Sequence, residues 1–235
     1  MLQSPAMTQL PSSMLTAVEP PVTIPSSAVS GLLNCQNLTV QRSEFPLCEG
    51  VNLTLKAGDI CHLIGENGTG KTTFIMQLAG LIPIIEGEIF WQGKKSLPIQ
   101  PLFIAHQIGI HLQLTVEQNL RFLLALYGIT PTFDELDQAL DWVGLAGYEA
   151  IPCYQLSAGQ TRRVGLTRLW FGLNNVQSQP FWLLDEPLTA LDVNMIAKIE
   201  TLLQDFANRG GAVLLTSHQA VGVANKQLDL TDYMV

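Results

Sequence analysis

Residues Gly65-Glu66-Asn67-Gly68-Thr69-Gly70-Lys71-Thr72 spell G-x-x-x-x-G-K-[ST], and no other stretch restricts the possible folds as tightly. The pattern works only in one setting: a buried strand that delivers the chain to a tight turn, and a helix that starts as the turn ends. Both flanks fit. Ile60 to Ile64 is an apolar run that predicts a strand, and Thr72 to Ala79 predicts a helix. Glycines let successive backbone N–H groups curl around an anion, and the helix start adds unpaired donors and the positive end of its dipole. In such a loop Gly65, Glu66, Asn67, Gly68, Thr69, Gly70, Lys71, Thr72 and Thr73 cradle phosphates. Lys71 would reach the β- and γ-phosphates, and the Thr72 hydroxyl would ligate Mg²⁺. With glycine at about 7% of residues, chance yields this pattern in roughly one chain in a hundred of this length. Nucleotide binding is therefore the working expectation.

The surrounding pattern predicts an α/β fold. Leu32 to Val40, Val51 to Leu55 and Glu88 to Trp91 read as strands, the last belonging to a short antiparallel sheet. From Thr115 to Ala150 the periodicity turns helical. Val116 to Tyr127 is closed by Gly128, and Thr132 with Glu135 offers a capping box before a helix carrying Leu136, Leu140 and Val143 on one face. This helical stretch, about residues 111–175, reads as a lobe inserted between parts of a parallel sheet. Strand–helix alternation then resumes. Phe181 to Leu184 is an apolar strand, Met195, Ile199, Leu202 and Phe206 form one helical stripe stopped by Gly210-Gly211, and Ala212 to Thr216 is expected to be the last strand. A parallel sheet covered by helices binds ligands at the carboxyl ends of its strands.

Composition narrows the class. Of 235 residues, 47% are apolar, so a sizeable core is expected, and Lys+Arg 12 against Asp+Glu 20 leaves a net charge of −8. That balance argues against a nucleic-acid partner, which selects for a basic face. A charged fraction of only 14% hints at apolar surface for docking. Cys35, Cys48, Cys61 and Cys153 lack C-x-x-C spacing, so they read as small buried hydrophobes in a reducing compartment rather than a disulfide framework or zinc site. No run reaches the roughly 18 apolar residues that span a bilayer. Met1 to Ser30 carries a single charge, Glu19, and five prolines. It has no positive start and no long apolar core, and reads as a disordered extension rather than a secretory signal.

Other groups fall at expected strand ends. Asp185 ends the apolar strand Phe181 to Leu184, where a phosphate-loop protein holds a second contact to Mg²⁺. Glu186 follows directly, and adjacent carboxylates point in different directions: Asp185 toward a metal, Glu186 toward a water poised for in-line attack. Taken by itself, Glu186 can also be read as an exposed loop acid, the less favoured of the two readings. His218, after Leu214-Leu215-Thr216-Ser217, is placed to hydrogen-bond a γ-phosphate, although a lone histidine is as compatible with a structural role. Gln107, after Leu102 to Ala105, reads by itself as a loop residue.

Taken in order, these pieces resemble the ATP-binding subunits of ABC transporters over roughly residues 31–220. Gly65 to Thr72 is similar to the Walker A loop, Gln107 to the Q-loop, and Leu156-Ser157-Ala158-Gly159-Gln160 to the LSGGQ signature. Asp185 and Glu186 match Walker B and its catalytic glutamate, Ala190-Leu191-Asp192 the D-loop, and Thr216-Ser217-His218 the H-loop. The resemblance implies one ABC ATP-binding domain over residues 31–235, with a P-loop NTPase core, an antiparallel β subdomain and an inserted helical subdomain. It implies ATP and Mg²⁺ as cofactors, with Glu186, His218 and Gln107 catalytic and with Thr72, Gln107 and Asp185 at the metal. It also implies a head-to-tail homodimer in which Ser157, Gly159 and Gln160 of one copy cap the γ-phosphate held by the other. Where the family stacks an aromatic on adenine, the counted position here falls near Arg42, with Phe45 close by; an arginine plane also stacks on a base.

Within the family, the L-S-A-G-Q signature followed by Thr161-Arg162-Arg163, the His106-Gln107-Ile108-Gly109 Q-loop and the His218-Gln219 ending resemble the cytochrome c maturation branch, also described as haem exporter ATP-binding subunits. That likeness implies integral membrane permease partners and a peripheral position on the cytoplasmic face of the inner membrane. Two other readings stand beside it: a soluble ABC protein acting on nucleic acid or ribosomes, and a nucleotide-gated subunit with little turnover. The acidic single cassette argues against the first, and Glu186 against the second.

Overall fold

The computed structural model describes residues 31–42, 45–95, 100–177 and 180–235; the extension expected over residues 1–30 lies outside them. Two sheets organise the chain. Strands β1 (Leu33–Arg42), β2 (Phe45–Leu55) and β4 (Glu88–Trp91) form an antiparallel sheet in the order β2-β1-β4. Strands β3 (Ile60–Ile64), β5 (Leu102–Ile104), β6 (Phe181–Leu184), β7 (Ala212–Thr216) and β8 (Lys226–Asp229) form a wholly parallel sheet in the order β5-β6-β7-β3-β8.

Side chains that alternate along a strand face opposite sides of a sheet, and here the alternation divides the interior in two. Phe181, Leu183, Ala212, Leu214, Cys61 and Leu63 pack toward β1, β2 and helix α1 (Lys71–Leu78). Trp182, Leu184, Val213, Leu215 and Ile60 pack toward the remaining helices. On that second side Trp182 stacks on Phe206 at 3.7 Å between ring centres. Strands buried on both faces must be apolar throughout, which is why Phe-Trp-Leu-Leu and Ala-Val-Leu-Leu-Thr read as continuous runs.

Helices α2 (Val116–Ala125) and α3 (Phe133–Trp142) both pack on α4 (Ala158–Leu173), and α4 continues onto β5 and onto α5 (Val193–Asn208). Each starts where the sequence supplies a side-chain cap. Thr132 and Glu135 form the expected capping box, and Thr115 with Gln118 and Ser157 with Gln160 form two more. Asp192 caps α5 through the N–H of Met195 at 2.8 Å. Such caps each contribute about 1 kcal/mol.

Two expectations require correction. Ala212–Thr216 is not the last strand: β8 follows it and pairs parallel with β3. Lys226-Gln227-Leu228-Asp229 holds one apolar residue, because an edge strand buries little. Strand β2 also starts at Phe45, well before Val51. It is an edge strand in the antiparallel sheet, where Pro46 sacrifices no ladder bond.

Candidate functional site

The carboxyl ends of β3, β6 and β7 open onto one cleft of about 280 Å³, lined by Arg42, Leu47, Asn67, Gly68, Gly70, Lys71, Thr72, Thr73, His106, Asp185, Glu186 and His218. Its floor is the turn between β3 and α1. Gly65, Gly68 and Gly70 take φ values of 146°, 92° and 95°, a backbone region that side chains disfavour. A Cβ on Gly65 would lie 2.8 Å from Thr69 Oγ1. Thr69 is buried, and its hydroxyl donates to Glu66 O at 3.0 Å, tightening the turn from within. Lys71 arches back across the loop and donates to Gly65 O at 2.7 Å and Glu66 O at 2.8 Å. Alone among the five α-helices of the described residues, α1 begins without a side-chain cap; its N-cap is Gly70. A helix start whose donors are left to a ligand is what an anion site requires.

Above that floor sits a polar network in which Asp185, Glu186 and Thr216 are buried. Thr72 Oγ1 donates to Asp185 Oδ2 at 2.8 Å, and Thr216 Oγ1 donates to Asp185 Oδ1 at 2.8 Å. The N–H of Glu186 donates to Thr216 Oγ1, also at 2.8 Å. Asp185 and Glu186 are 2% and 8% exposed. Burial of charge at this depth is tolerated only where hydrogen bonds replace water. Glu186 adopts φ 53°, an uncommon conformation for a residue with a Cβ, and its carboxylate accepts from Thr189 Oγ1 at 3.3 Å and lies 3.5 Å from His218 Nε2. Adjacent acids do diverge: Asp185 turns to α1 and β7, Glu186 to His218 and Thr189.

Two predicted groups stand apart from the cleft. Gln107 lines neighbouring clefts between the parallel sheet and the α2–α4 layer, beside Ile108, while His106 takes the place facing the phosphate loop. Ser157, Gly159 and Gln160 sit at the tip of α4. There Ser157 Oγ accepts from Gln160 N and Gln160 Oε1 from Ser157 N. A Cβ on Gly159 would meet Ala190 O at 3.2 Å, so this tip rests against the Ala190-Leu191-Asp192 turn. Arg42 lines the cleft at the end of the β1–β2 pairing, in register with Phe45, which is exposed.

Sequence reasoning missed three contributors. Thr216 joins Asp185 to Glu186; its signal was a polar residue ending a buried apolar strand. His106 carried no signal beyond its place beside Gln107. Arg162, on α4, donates through Nη1 to His106 O at 2.7 Å and through Nη2 to Glu186 O, and in sequence it looks like any helical cation. Burial pulls its pKa down, opposed by the charges of Asp185 and Glu186.

Comparisons with known proteins identify the family and the fold. The ABC transporter family matches residues 48–189. The cytochrome c biogenesis ATP-binding export protein CcmA of Vibrio cholerae is 43% identical over 203 residues, 84% of this chain and 96% of that protein. The CcmA protein of Escherichia coli is 39% identical over 204 residues, 84% and 94% of the two chains. Among solved structures, a putative ABC transporter ATP-binding protein from Pyrococcus furiosus superposes with a TM-score of 0.73 at 24% identity, covering 86% of this chain and 99% of that one. A dimeric bacterial ABC transporter cassette, MJ0796, gives 0.69 at 23%, covering 84% and 94%. These two show likeness of fold.

Proposed function

Because the chain belongs to the ABC transporter family, in the branch of the cytochrome c biogenesis ATP-binding export proteins, we propose that it is the ATP-hydrolysing subunit of a membrane complex for c-type cytochrome biogenesis. The observation that carries this reading is the network joining Thr72, Asp185, Thr216 and Glu186 beside the glycine turn.

In this proposal the triphosphate lies on the turn from Gly65 to Thr73, with Lys71 exchanging its two carbonyl partners for phosphate oxygens. Thr72 and Asp185 are an all-oxygen pair that suits Mg²⁺. The ion would be held there, and in phosphoryl transfer it neutralises charge between the β- and γ-phosphates. Gln107 would join these ligands by a shift of its segment toward the cleft. Glu186 orients the attacking water, and His218 at its side hydrogen-bonds the γ-phosphate. Arg42 supports the base.

The domain reading follows: residues 31–235 form one ATP-binding domain, with a helical subdomain over about 111–175. Ser157, Gly159 and Gln160 at the α4 tip do not line this chain's own cleft; a second copy would complete the site head to tail. Permease subunits would dock beside Gln107, where Leu81 and Leu126 are exposed. No helix among the described residues is long and apolar enough to cross a membrane, which suits a peripheral subunit held by such partners on the cytoplasmic face.

The test is Glu186→Gln, which keeps the shape and removes the charge. ATP turnover should fall by about 10²–10⁴-fold while nucleotide affinity stays within twofold. Unchanged turnover would remove Glu186 from the role. Loss of affinity alongside turnover would point to a structural defect.

A further inference from the structure

Two arginines of α4 are buried, Arg162 at 7% and Arg168 at 5% exposure, and both direct hydrogen bonds to backbone carbonyls. Arg162 Nη1 donates to His106 O at 2.7 Å, and Arg168 Nη2 donates to Ile108 O at 3.4 Å. The two guanidinium groups thus grip the backbone on either side of Gln107. Between them Gly165 leaves room for the same segment: a Cβ there would lie 2.8 Å from Ile108 Cβ. The second Nη of Arg162 is bonded to the carbonyl of Glu186. That residue is fixed at its other end by the N–H of Glu186 on Thr216 Oγ1. A planar fork with donors held in fixed directions can bridge two carbonyls in this way; a flexible ammonium cannot reproduce the geometry.

We propose that Arg162 is a positioning residue that ties the backbone of Glu186 and the Gln107 segment to the helix whose tip is Ser157. Burying a guanidinium is costly unless its hydrogen bonds and the charges around it compensate, and here those bonds fall on the two loops that flank the cleft. Contact at Ser157 is thereby transmitted along the first turns of α4 to the Glu186 backbone and to the segment that carries His106 and Gln107. The inference rests on the ATPase reading above and adds a route by which the second copy controls turnover in the first.

Arg162→Lys and Arg162→Met test it, with kcat, KM and nucleotide affinity measured separately. A misplacement of about 1 Å in a reacting geometry costs on the order of a hundredfold in rate. Both variants are therefore expected to bind nucleotide within about twofold of wild type, with kcat lowered toward a hundredfold in Arg162→Met and less in Arg162→Lys. Hydrogen exchange over residues 106–108 should rise in both. Variants with wild-type kcat would overturn the proposal, as would affinity falling in step with kcat. Should Arg162→Met fail to fold, Arg162→Lys decides by the same criteria. A wild type without turnover overturns the ATPase reading and this proposal with it, whereas an active wild type matched by its variants overturns this proposal alone.

Discussion

Thr72 Oγ1 lies 2.8 Å from Asp185 Oδ2, a hydrogen bond between residues 113 positions apart in the chain. It joins the first turn of α1 to the end of β6, the two places from which a phosphate-loop protein draws its metal ligands. The hydroxyl spends its proton on the carboxylate, so the pair is pre-oriented at the separation of two oxygens that share one cation.

Removing that hydroxyl should weaken metal use more than folding. Thr72→Val should raise the Mg²⁺ concentration for half-maximal turnover by about tenfold, whereas Thr72→Ser should stay near wild type. A Mg²⁺ titration of ATP hydrolysis measures both.

Thr216 is fully buried and serves two partners at once. Thr216→Val keeps the shape but leaves Asp185 Oδ1 without a donor and the Glu186 N–H without an acceptor. Unsatisfied buried groups cost about 1–3 kcal/mol each, so urea denaturation should show a loss of at least about 2 kcal/mol. A lower kcat should accompany it, because both acids lose an anchor.

Gly87 takes φ +88°, and a Cβ there would sit 2.5 Å from Asn37 O and 2.6 Å from Leu38 Cα. Neither backbone atom can move without disturbing β1. Gly87→Ala should destabilise the protein by about 2–4 kcal/mol. Gly58→Ala, at φ +90° with open space around it, should cost about 1 kcal/mol from backbone strain alone. Thermal or urea melts of the two variants give the comparison.

All four cysteines are buried as free thiols, and burial pushes those of Cys35 and Cys61 up from 9.0 to about 12. Folding therefore favours the protonated thiol. Its contribution is complete below the unfolded value near 9 and is lost as pH climbs toward 12, because only the unfolded chain ionises easily. Native protein at pH 8 should resist thiol reagents until denatured. Above pH 9, stability should fall less steeply in Cys61→Ala than in wild type.

How far the sequence revealed this depends on where each signal lies. The glycine turn, Asp185 and the strands feeding them were legible, because phosphate binding dictates residue types at fixed spacing and a buried parallel strand must be apolar throughout. The Thr132–Glu135 cap was legible for the same local reason. Strand β8 was not, since its place is decided by pairing with β3 across the fold, and Lys226 and Gln227 show no apolar pattern. Arg162 was hidden more deeply. Its partners are carbonyls 56 and 24 residues away, and a carbonyl leaves no trace in the side-chain sequence. His106 and Gln107 are neighbours in an exposed turn, and side-chain type alone does not say which of them lines the cleft.

In the proposed dimer, ATP is held between the glycine turn of one copy and the Ser157 helix tip of another. Light scattering on Glu186→Gln, with and without ATP, tests it directly when run beside the double variant Glu186→Gln, Ser157→Arg. ATP should take the single variant from the 25.7 kDa of one chain to twice that mass, and the double variant should stay at one chain. A mass indifferent to ATP, or a double variant that pairs as readily as the single one, would contradict it.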